Sequence, residues 1–233
     1  GNQPIIGVAA GEVWHDFVMW ALSNELGGVE NLSLIPGTMG AAPMQNIGAY
    51  GVELESVSHS LQAVEIGTGK VRVFLKEECK FGYRDSIFKK EVKDKYVITG
   101  VNIQLSRDHK LNTTYGVIQD VLKERGVEHP TIHDVSNAVI SIRQSKLPDP
   151  AVIGNAGSFF KNPVIPTDQF DKIKVTLPTL PGYPAEEGLV KVPAGWLIEQ
   201  SGWKGYRKGN AGCYEKQALV LVNHGGARGE EIW

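Results

Sequence analysis

Two rhythms of hydrophobic and polar positions run along this chain, and the first is helical. Val13, Phe17, Trp20, Ala21 and Leu22 recur at spacings of about three and four, so they share one helical face, and Gly27-Gly28 is suited to end that helix. The second rhythm is that of strands. Val57 to Ile66, Val71 to Leu75 and Tyr96 to Leu105 are rich in β-branched and aromatic residues, and Gly67-Thr68-Gly69 supplies a turn between the first two. Strands joined by so short a turn pair antiparallel. Thr131 and Asp134 have the spacing of a capping box ahead of the stripe Ile132, Val135, Val139 and Ile142, a helix that delivers Arg143 and Lys146 near its end. Leu147-Pro148-Asp149-Pro150 then interrupts regular structure twice, which predicts a domain boundary near Pro148. Beyond it the pattern gives proline-rich turns over Leu177 to Pro184, a short helix from Ala194 to Gln200 ended by Gly202, and a strand from Ala218 to Val222. The predicted class is α+β in two domains: residues 1–147 around an antiparallel sheet, and a smaller α/β domain over residues 148–233.

Composition narrows the function classes. Lys plus Arg number 24 and Asp plus Glu 26, so no global field points to nucleic acid or a membrane surface, and any anion site must be local. Cys79 and Cys213 are too few for a disulfide framework and fit a reducing cytoplasm, although a single bridge between them is compatible with the sequence. No apolar run approaches the ~18 residues needed to span a bilayer, and the start has no basic-then-apolar signal pattern. The expectation is a soluble, intracellular protein.

Candidate chemistry concentrates between Ile35 and Glu53, where small residues and turn-formers crowd the chain. Gly37, Gly40, Gly48 and Gly51 are free to take positive φ and to let a ligand approach the main chain, while Gln45 and Asn46 add amide donors and acceptors. Such a surface suits a pyrophosphate or a flavin edge, because exposed N–H groups bind anions without a buried counter-charge. Read as an ordered string, IPGT-x-GAAP-x-QNIGAYG resembles the flavin-binding segment of the bacterial UDP-N-acetylenolpyruvoylglucosamine reductase family. Three further strings stand in that family's order: FGYRDSIFK (Phe81 to Lys89), RQSKLPDP (Arg143 to Pro150) and GNAGSFFKNP (Gly154 to Pro163). With AGWLIEQ (Ala194 to Gln200) and QALVLVN (Gln217 to Asn223), the resemblance covers the chain from Gly11 onward.

That resemblance implies an NADPH- and FAD-dependent oxidoreductase that reduces UDP-N-acetylglucosamine enolpyruvate to UDP-N-acetylmuramate, a peptidoglycan precursor, in a bacterial cytoplasm. It implies a flavin-binding role for Ile35, Pro36, Gly37, Thr38, Gln45, Asn46, Gly48 and Ala49. Ala41 and Ala42 stand where some relatives have serines. Hydride delivery to the enolpyruvyl ether leaves an enolate, which needs a cation and a proton. Ser158 matches the family's proton donor, a hydroxyl that needs positioning more than acidity because its acceptor is strongly basic. Arg84 matches the guanidinium that faces the substrate carboxylate, with Tyr83 beside it; taken by itself, an arginine there is expected to pair with the adjacent Asp85. Tyr115, Arg143, Lys146, Asn162, Lys204 and Gln217 match positions around the nucleotide sugar, with Asn112 to Gly116 as a loop able to close over it. A serine-hydrolase reading fails on context, since GNAGSFF lacks the G-x-S-x-G elbow. His129 and His133 are separated by Pro130 and fit helix-start histidines better than a metal pair, so no metal is expected.

Relatives also open with a smaller flavin-binding subdomain carrying a Gly-Ser-Asn motif and end with a catalytic glutamate, for which nothing before Gly1 or after Trp233 stands here. Glu230 and Glu231 match no catalytic position. The resemblance thus implies a two-domain excerpt, a monomer acting on a small nucleotide sugar, in which FAD is held weakly or lost. The competing reading is a catalytically silent nucleotide-sugar-binding module.

Overall fold

A computed structural model describes all residues 1–233. The chain divides into two compact units, Gly1–Arg143 and Gln144–Trp233.

The first unit contains β1 (Ile5–Ala9), α1 (Trp14–Ser23), the short pair β2 (Gly48–Ala49) and β3 (Val52–Glu53), then β4 (Ser58–Glu65), β5 (Val71–Leu75), β6 (Tyr96–Gln104) and α2 (Gly116–Glu124). α3 (Ile132–Lys146) follows and ends just past the division. Its main sheet has the order β1-β6-β4-β5, and every pairing is antiparallel. β4, β5 and β6 form close to where the β-rich runs predict them. β1 does not follow from the patterning above, because a five-residue strand broken by Gly7 gives only a brief alternation. Leu61 and Ala63 on β4 and Val101 and Ile103 on β6 alternate into the core, as a half-buried strand requires, and Ile98 joins them across a register shift that breaks the alternation of β6. Phe74 of β5 meets Phe88 and Tyr96 edge-on, with centroids 5.3 and 5.1 Å away.

α1 departs from its expected stripe. Its buried residues are Trp14, Phe17, Val18, Ala21 and Leu22, whereas Val13 and Trp20 are exposed. Val13 is the extended N-cap residue rather than part of the helix, and Trp20 stacks on Phe17 at the surface. Gly27-Gly28 does not end this helix. Glu25 adopts the left-handed φ of 56°, and the Glu25 N–H to Leu22 O (2.9 Å) and Leu26 N–H to Ala21 O (3.0 Å) bonds close a Schellman turn one residue past the Asn24 cap. α3 begins as its sequence predicts: Thr131 N–H and Oγ1–H donate to Asp134 Oδ2 at 2.9 and 2.7 Å, and Asp134 N–H donates back to Thr131 Oγ1 at 3.2 Å. Ala138, Val139 and Ile142 of α3 pack with Ile118 and Leu122 of α2 in a separate small core.

The second unit holds β7 (Gly154–Ser158), β8 (Val164–Pro166), α4 (Thr167–Thr176), β9 (Tyr183–Pro184), β10 (Leu189–Lys191), α5 (Ala194–Gln200), β11 (Arg207–Lys208), β12 (Ala211–Cys213), β13 (Val220–Asn223) and α6 (Gly229–Ile232). Its strands form two antiparallel sheets, β8-β10-β9 and β11-β12-β13-β7, so helix and antiparallel sheet mix in both units. α5 has its expected bounds and ends where Gly202 takes φ 77°. The last strand lies two residues later at its start than the apolar run predicts. Cys79 and Cys213 are both buried free thiols. No helix is long and apolar enough to cross a membrane.

Candidate active site

The Gly-rich segment is approached through a short 3₁₀ turn, Glu30–Leu32, fastened from two helices. From α1, Trp14 Nε1–H donates to Leu32 O at 2.9 Å and His15 Nδ1 accepts from Leu34 N–H at 3.0 Å. From α3, the Ser136 and Ser33 hydroxyls bond at 2.8 Å and Arg143 Nε–H donates to Leu34 O at 3.1 Å. Leu34 stands at φ 57°, a left-handed conformation that costs a non-glycine residue about 1–2 kcal/mol. Both polar groups of its backbone are tied by side chains.

Ile35, Pro36, Gly37 and Thr38 follow, half-buried at Ile35 and exposed from Pro36 to Thr38. The loop is laced to the start of α1: Trp14 N–H donates to Gly37 O at 3.0 Å, Met39 N–H to Glu12 O at 2.9 Å and Gly40 N–H to Ala10 O at 2.9 Å. The four glycines here have two different jobs. Gly37 and Gly51 take positive φ, 117° and 78°. Gly40 and Gly48 do not, and serve close packing instead: a Cβ on Gly40 would lie 2.6 Å from Ala10 Cβ, and one on Gly48 would lie 2.8 Å from both Arg84 Nη1 and Glu53 Cγ. The remaining left-handed residues of the segment, Asn46 (φ 45°) and Tyr50 (φ 49°), are not glycines and were not singled out by composition.

Asn46 is engaged within the loop. Its buried side chain donates to Glu53 Oε2 at 2.9 Å and Gly82 O at 3.1 Å and accepts from Glu55 N–H at 2.9 Å, so the amide shapes the loop itself. Gln45 is exposed, and Gly48 and Ala49 are half-buried in the small β2–β3 ladder.

Arg84 sits on a tight turn. Gly82 and Asp85 exchange both backbone bonds at 3.1 Å, leaving Tyr83 and Arg84 at the tip, with Arg84 at φ 55° as the third residue of a type II turn would be. Its guanidinium donates to Gly48 O, lies 3.6 Å from Glu53 Oε1 and stands 5.3 Å from the Tyr83 ring centre. The expected Arg84–Asp85 pairing is replaced: Asp85 pairs with Lys90 and accepts from Ser86 N–H. Glu53 is thus a site residue that sequence spacing does not reveal, since only the β2–β3 turn brings it to Arg84. The structure therefore joins Gly48 directly to Arg84, and Asn46 to Gly82 at the base of the same turn.

A second cluster forms around Tyr50. Arg143 acts on its phenol as an opposing charge, and Tyr115 meets its ring edge-on at 5.5 Å. Burial raises the Tyr50 phenol above its ordinary value against the opposing charge of Arg143, and burial lowers Arg143. Asn31 Nδ2–H ties Tyr50 O (3.1 Å) to Asn112 O (2.9 Å), and Asn112 Nδ2–H donates to Gly51 O at 3.1 Å. Tyr115 is the exposed N-cap residue of α2, so the loop Asn112 to Gly116 is anchored at its base and presents Tyr115 at its end.

In the second unit, Ser158 closes β7. Asn155 pairs with Val222 and Ser158 with Val220, so β7 carries one extra residue, a bulge in which Gly157 takes φ 76° and its N–H donates to Asn155 Oδ1 at 3.0 Å. Ser158 is exposed at the strand end. Asn162 and Gln217 converge on the first turn of α5: Asn162 Oδ1 accepts from Ala194 N–H at 3.0 Å, and Gln217 Oε1 lies 3.4 Å from where a Cβ on Gly195 would be. Lys204 is engaged with Glu199 Oε1 at 2.9 Å, and Lys146 is the exposed last residue of α3. His133 faces Glu25 Oε1 at 3.3 Å.

Chemically, these parts offer an exposed strip of glycine-bearing backbone, a fixed guanidinium beside it, and a serine hydroxyl on a bulged strand. Residues 2–74 match the family model described as FAD binding domain, and residues 149–233 match that of the UDP-N-acetylenolpyruvoylglucosamine reductase C-terminal domain. The UDP-N-acetylenolpyruvoylglucosamine reductase of Flavobacterium johnsoniae is 55% identical over 224 residues, 96% of this chain and 66% of its own length. That of Pseudomonas savastanoi pv. phaseolicola is 55% identical over 230 residues, 99% of this chain and 68% of its own. The chain thus spans about two thirds of the length of these curated relatives. The crystal structure of UDP-N-acetylenolpyruvylglucosamine reductase from Thermus caldophilus shares the fold, with a TM-score of 0.67 at 24% identity over 97% of this chain and 65% of that one. With identity above half maintained from end to end, this chain belongs to the UDP-N-acetylenolpyruvoylglucosamine reductase family.

Proposed function

We propose that this chain carries the flavin segment and substrate machinery of an FAD- and NADPH-dependent reductase that converts UDP-N-acetylglucosamine enolpyruvate to UDP-N-acetylmuramate in a bacterial cytoplasm. Residues 1–147 form part of the flavin half and residues 148–233 the substrate half of a monomer acting on a small nucleotide sugar. The observation that carries this reading is the bond from the Arg84 guanidinium to Gly48 O, which makes a carboxylate-binding cation part of the flavin segment.

The residues present fit a flavin. Gly37 is exposed at φ 117° with no atom within 4 Å of where a Cβ would stand, so a ring edge can approach the main chain there, beside Pro36 and Thr38. When bound, FAD reduced by NADPH supplies the hydride. The chain's own residues do the rest. Arg84, pinned by Gly48 O and Glu53, holds the substrate carboxylate and stabilises charge as the enolate develops, at no cost of reorganisation during the reaction. Ser158 gives its hydroxyl proton to the enolate carbon and is reprotonated from solvent, to which its residue is exposed. Tyr83 supports Arg84 through its ring face. Arg143 acts through Tyr50 and Leu34 rather than as a solvated anchor, whereas Tyr115, Lys146, Lys204, Asn162 and Gln217 supply the donors and cations that a nucleotide diphosphate sugar needs.

Stopped-flow absorbance on the flavin-loaded enzyme separates the two half-reactions. Ser158→Ala leaves flavin reduction by NADPH intact and slows reoxidation by substrate by about 10²–10⁴. Arg84→Ala impairs the same half-reaction, and Arg84→Lys restores it only in part, because a lysine cannot hold both Gly48 O and a carboxylate in a planar fork. Loss of flavin reduction with normal reoxidation in Ser158→Ala would falsify the assignment.

A further inference from the structure

His15 is a polar residue of α1 that the roles above leave unused. Its Nδ1 accepts a hydrogen bond from the backbone of Leu34, the residue that turns the chain into Ile35–Thr38. A backbone N–H can only donate, so the ring must be neutral with its proton on Nε2. On the other side of the same residue, Leu34 O receives Arg143 Nε–H at 3.1 Å. A leucine at φ 57° persists only where its surroundings over-determine it, and these two side chains are what fixes it.

We propose that His15 is a positioning residue for the flavin segment: as a neutral imidazole it holds Leu34 in the left-handed conformation that presents Ile35–Thr38, and its protonation releases that segment. The inference rests on the flavin reading for its consequence, but not for its geometry. Two charged groups act on the ring, Arg143 from α3, which lowers its pKa, and Asp16 beside it on α1, which raises it; burial lowers it most, and the net direction is down. The folded state therefore favours the neutral form. The contribution is complete above the ordinary histidine value of about 6.5 and is lost as pH falls through the depressed folded value.

The test uses the full chain and three forms: wild type, His15→Asn, whose Oδ1 stands near the place of Nδ1 and does not titrate, and His15→Leu. Amide hydrogen exchange without flavin, corrected for the intrinsic rate, reads protection at Leu34 from about pH 8 down to 4.5. Wild type is expected to lose protection on acidification and His15→Asn to keep it, while His15→Leu is less protected throughout by about ten- to a hundredfold, the equivalent of one unmade buried bond. Equal protection in wild type and His15→Asn at every pH, with no loss in His15→Leu, overturns the proposal. Should His15→Leu fail to fold, the wild-type against His15→Asn comparison still decides. In a second arm, flavin fluorescence quenching titrates FAD: its Kd should rise on acidification for wild type and stay level for His15→Asn, and identical pH profiles overturn the proposal. If no form quenches FAD at any pH, as weak binding of FAD by this chain would give, the exchange arm decides the role of His15 alone.

Discussion

Replacing Gly48 by alanine tests whether the flavin segment and Arg84 form one packed assembly. A Cβ there would lie 2.8 Å from Arg84 Nη1, 2.8 Å from Glu53 Cγ and 3.0 Å from Val52 O. The arginine tip can swing away cheaply. The Glu53 stem and the Val52 carbonyl cannot, because Glu53 is directly opposite Gly48 in the β2–β3 ladder and Glu53 Oε2 accepts from the buried Asn46. Overpacking of this kind costs about 1–3 kcal/mol. With a urea m-value of about 2–3 kcal/mol/M, a central cost of ~2 kcal/mol lowers the midpoint by about 0.8 M. Urea unfolding followed by circular dichroism, with amide exchange in β2–β3 to locate the loss, gives the stability; calorimetry with the enolpyruvyl nucleotide sugar gives the effect on the carboxylate site. Adding Arg84→Ala removes one of the three conflicts, so the double variant should recover only a minor part of the stability. A Gly48→Ala chain with the wild-type midpoint and unchanged affinity would refute the packing argument, and full recovery by Arg84→Ala would show that the arginine alone was crowded.

Asn162→Ala should cost the second unit about 0.5–2 kcal/mol by uncovering the Ala194 N–H, and Asn162→Asp, which keeps an acceptor, should restore most of it; urea midpoints decide between them. Burial, with Glu78 and Glu77 adding to it, pushes the Cys79 thiol up to about 12, so iodoacetamide at neutral pH should modify Cys79 only as fast as the first unit opens, and rapid native-state labelling would contradict its placement. Asp134 is held below the usual carboxylate range by the Thr131 bonds, so its support of α3 is present above the unfolded value of 3.8 and fades as pH falls through the lower folded one; Asp134→Asn should flatten that acid limb in a circular-dichroism titration, by a small amount because those bonds are open to solvent.

Local patterning determined much of this protein. The β4, β5 and β6 runs, the capping box of α3, the bounds of α5 and the ordered family strings could all be read without coordinates, because each depends on contacts within a few residues or on period-two burial. The strings also singled out Arg84, Ser158 and the Ile35–Ala49 segment as candidates. What they could not place are the partners. Glu53 reaches Arg84 only through the β2–β3 turn, and His15, Ser136 and Arg143 reach the 30–34 segment only because α1 and α3 both pack against it. Of the four glycines free to take positive φ, only Gly37 and Gly51 do, and the strain lies elsewhere because φ is imposed by tertiary bonds: Leu34, Asn46, Tyr50 and Arg84 are held in left-handed backbone, while Gly40 and Gly48 stay out of it and are glycines for want of room. Val13 and Trp20 fit the helical period as well as Trp14 and Val18 do. Only the packing of α1 chose which face the core would take, because periodicity fixes the spacing of a stripe and leaves its direction to whatever the helix meets.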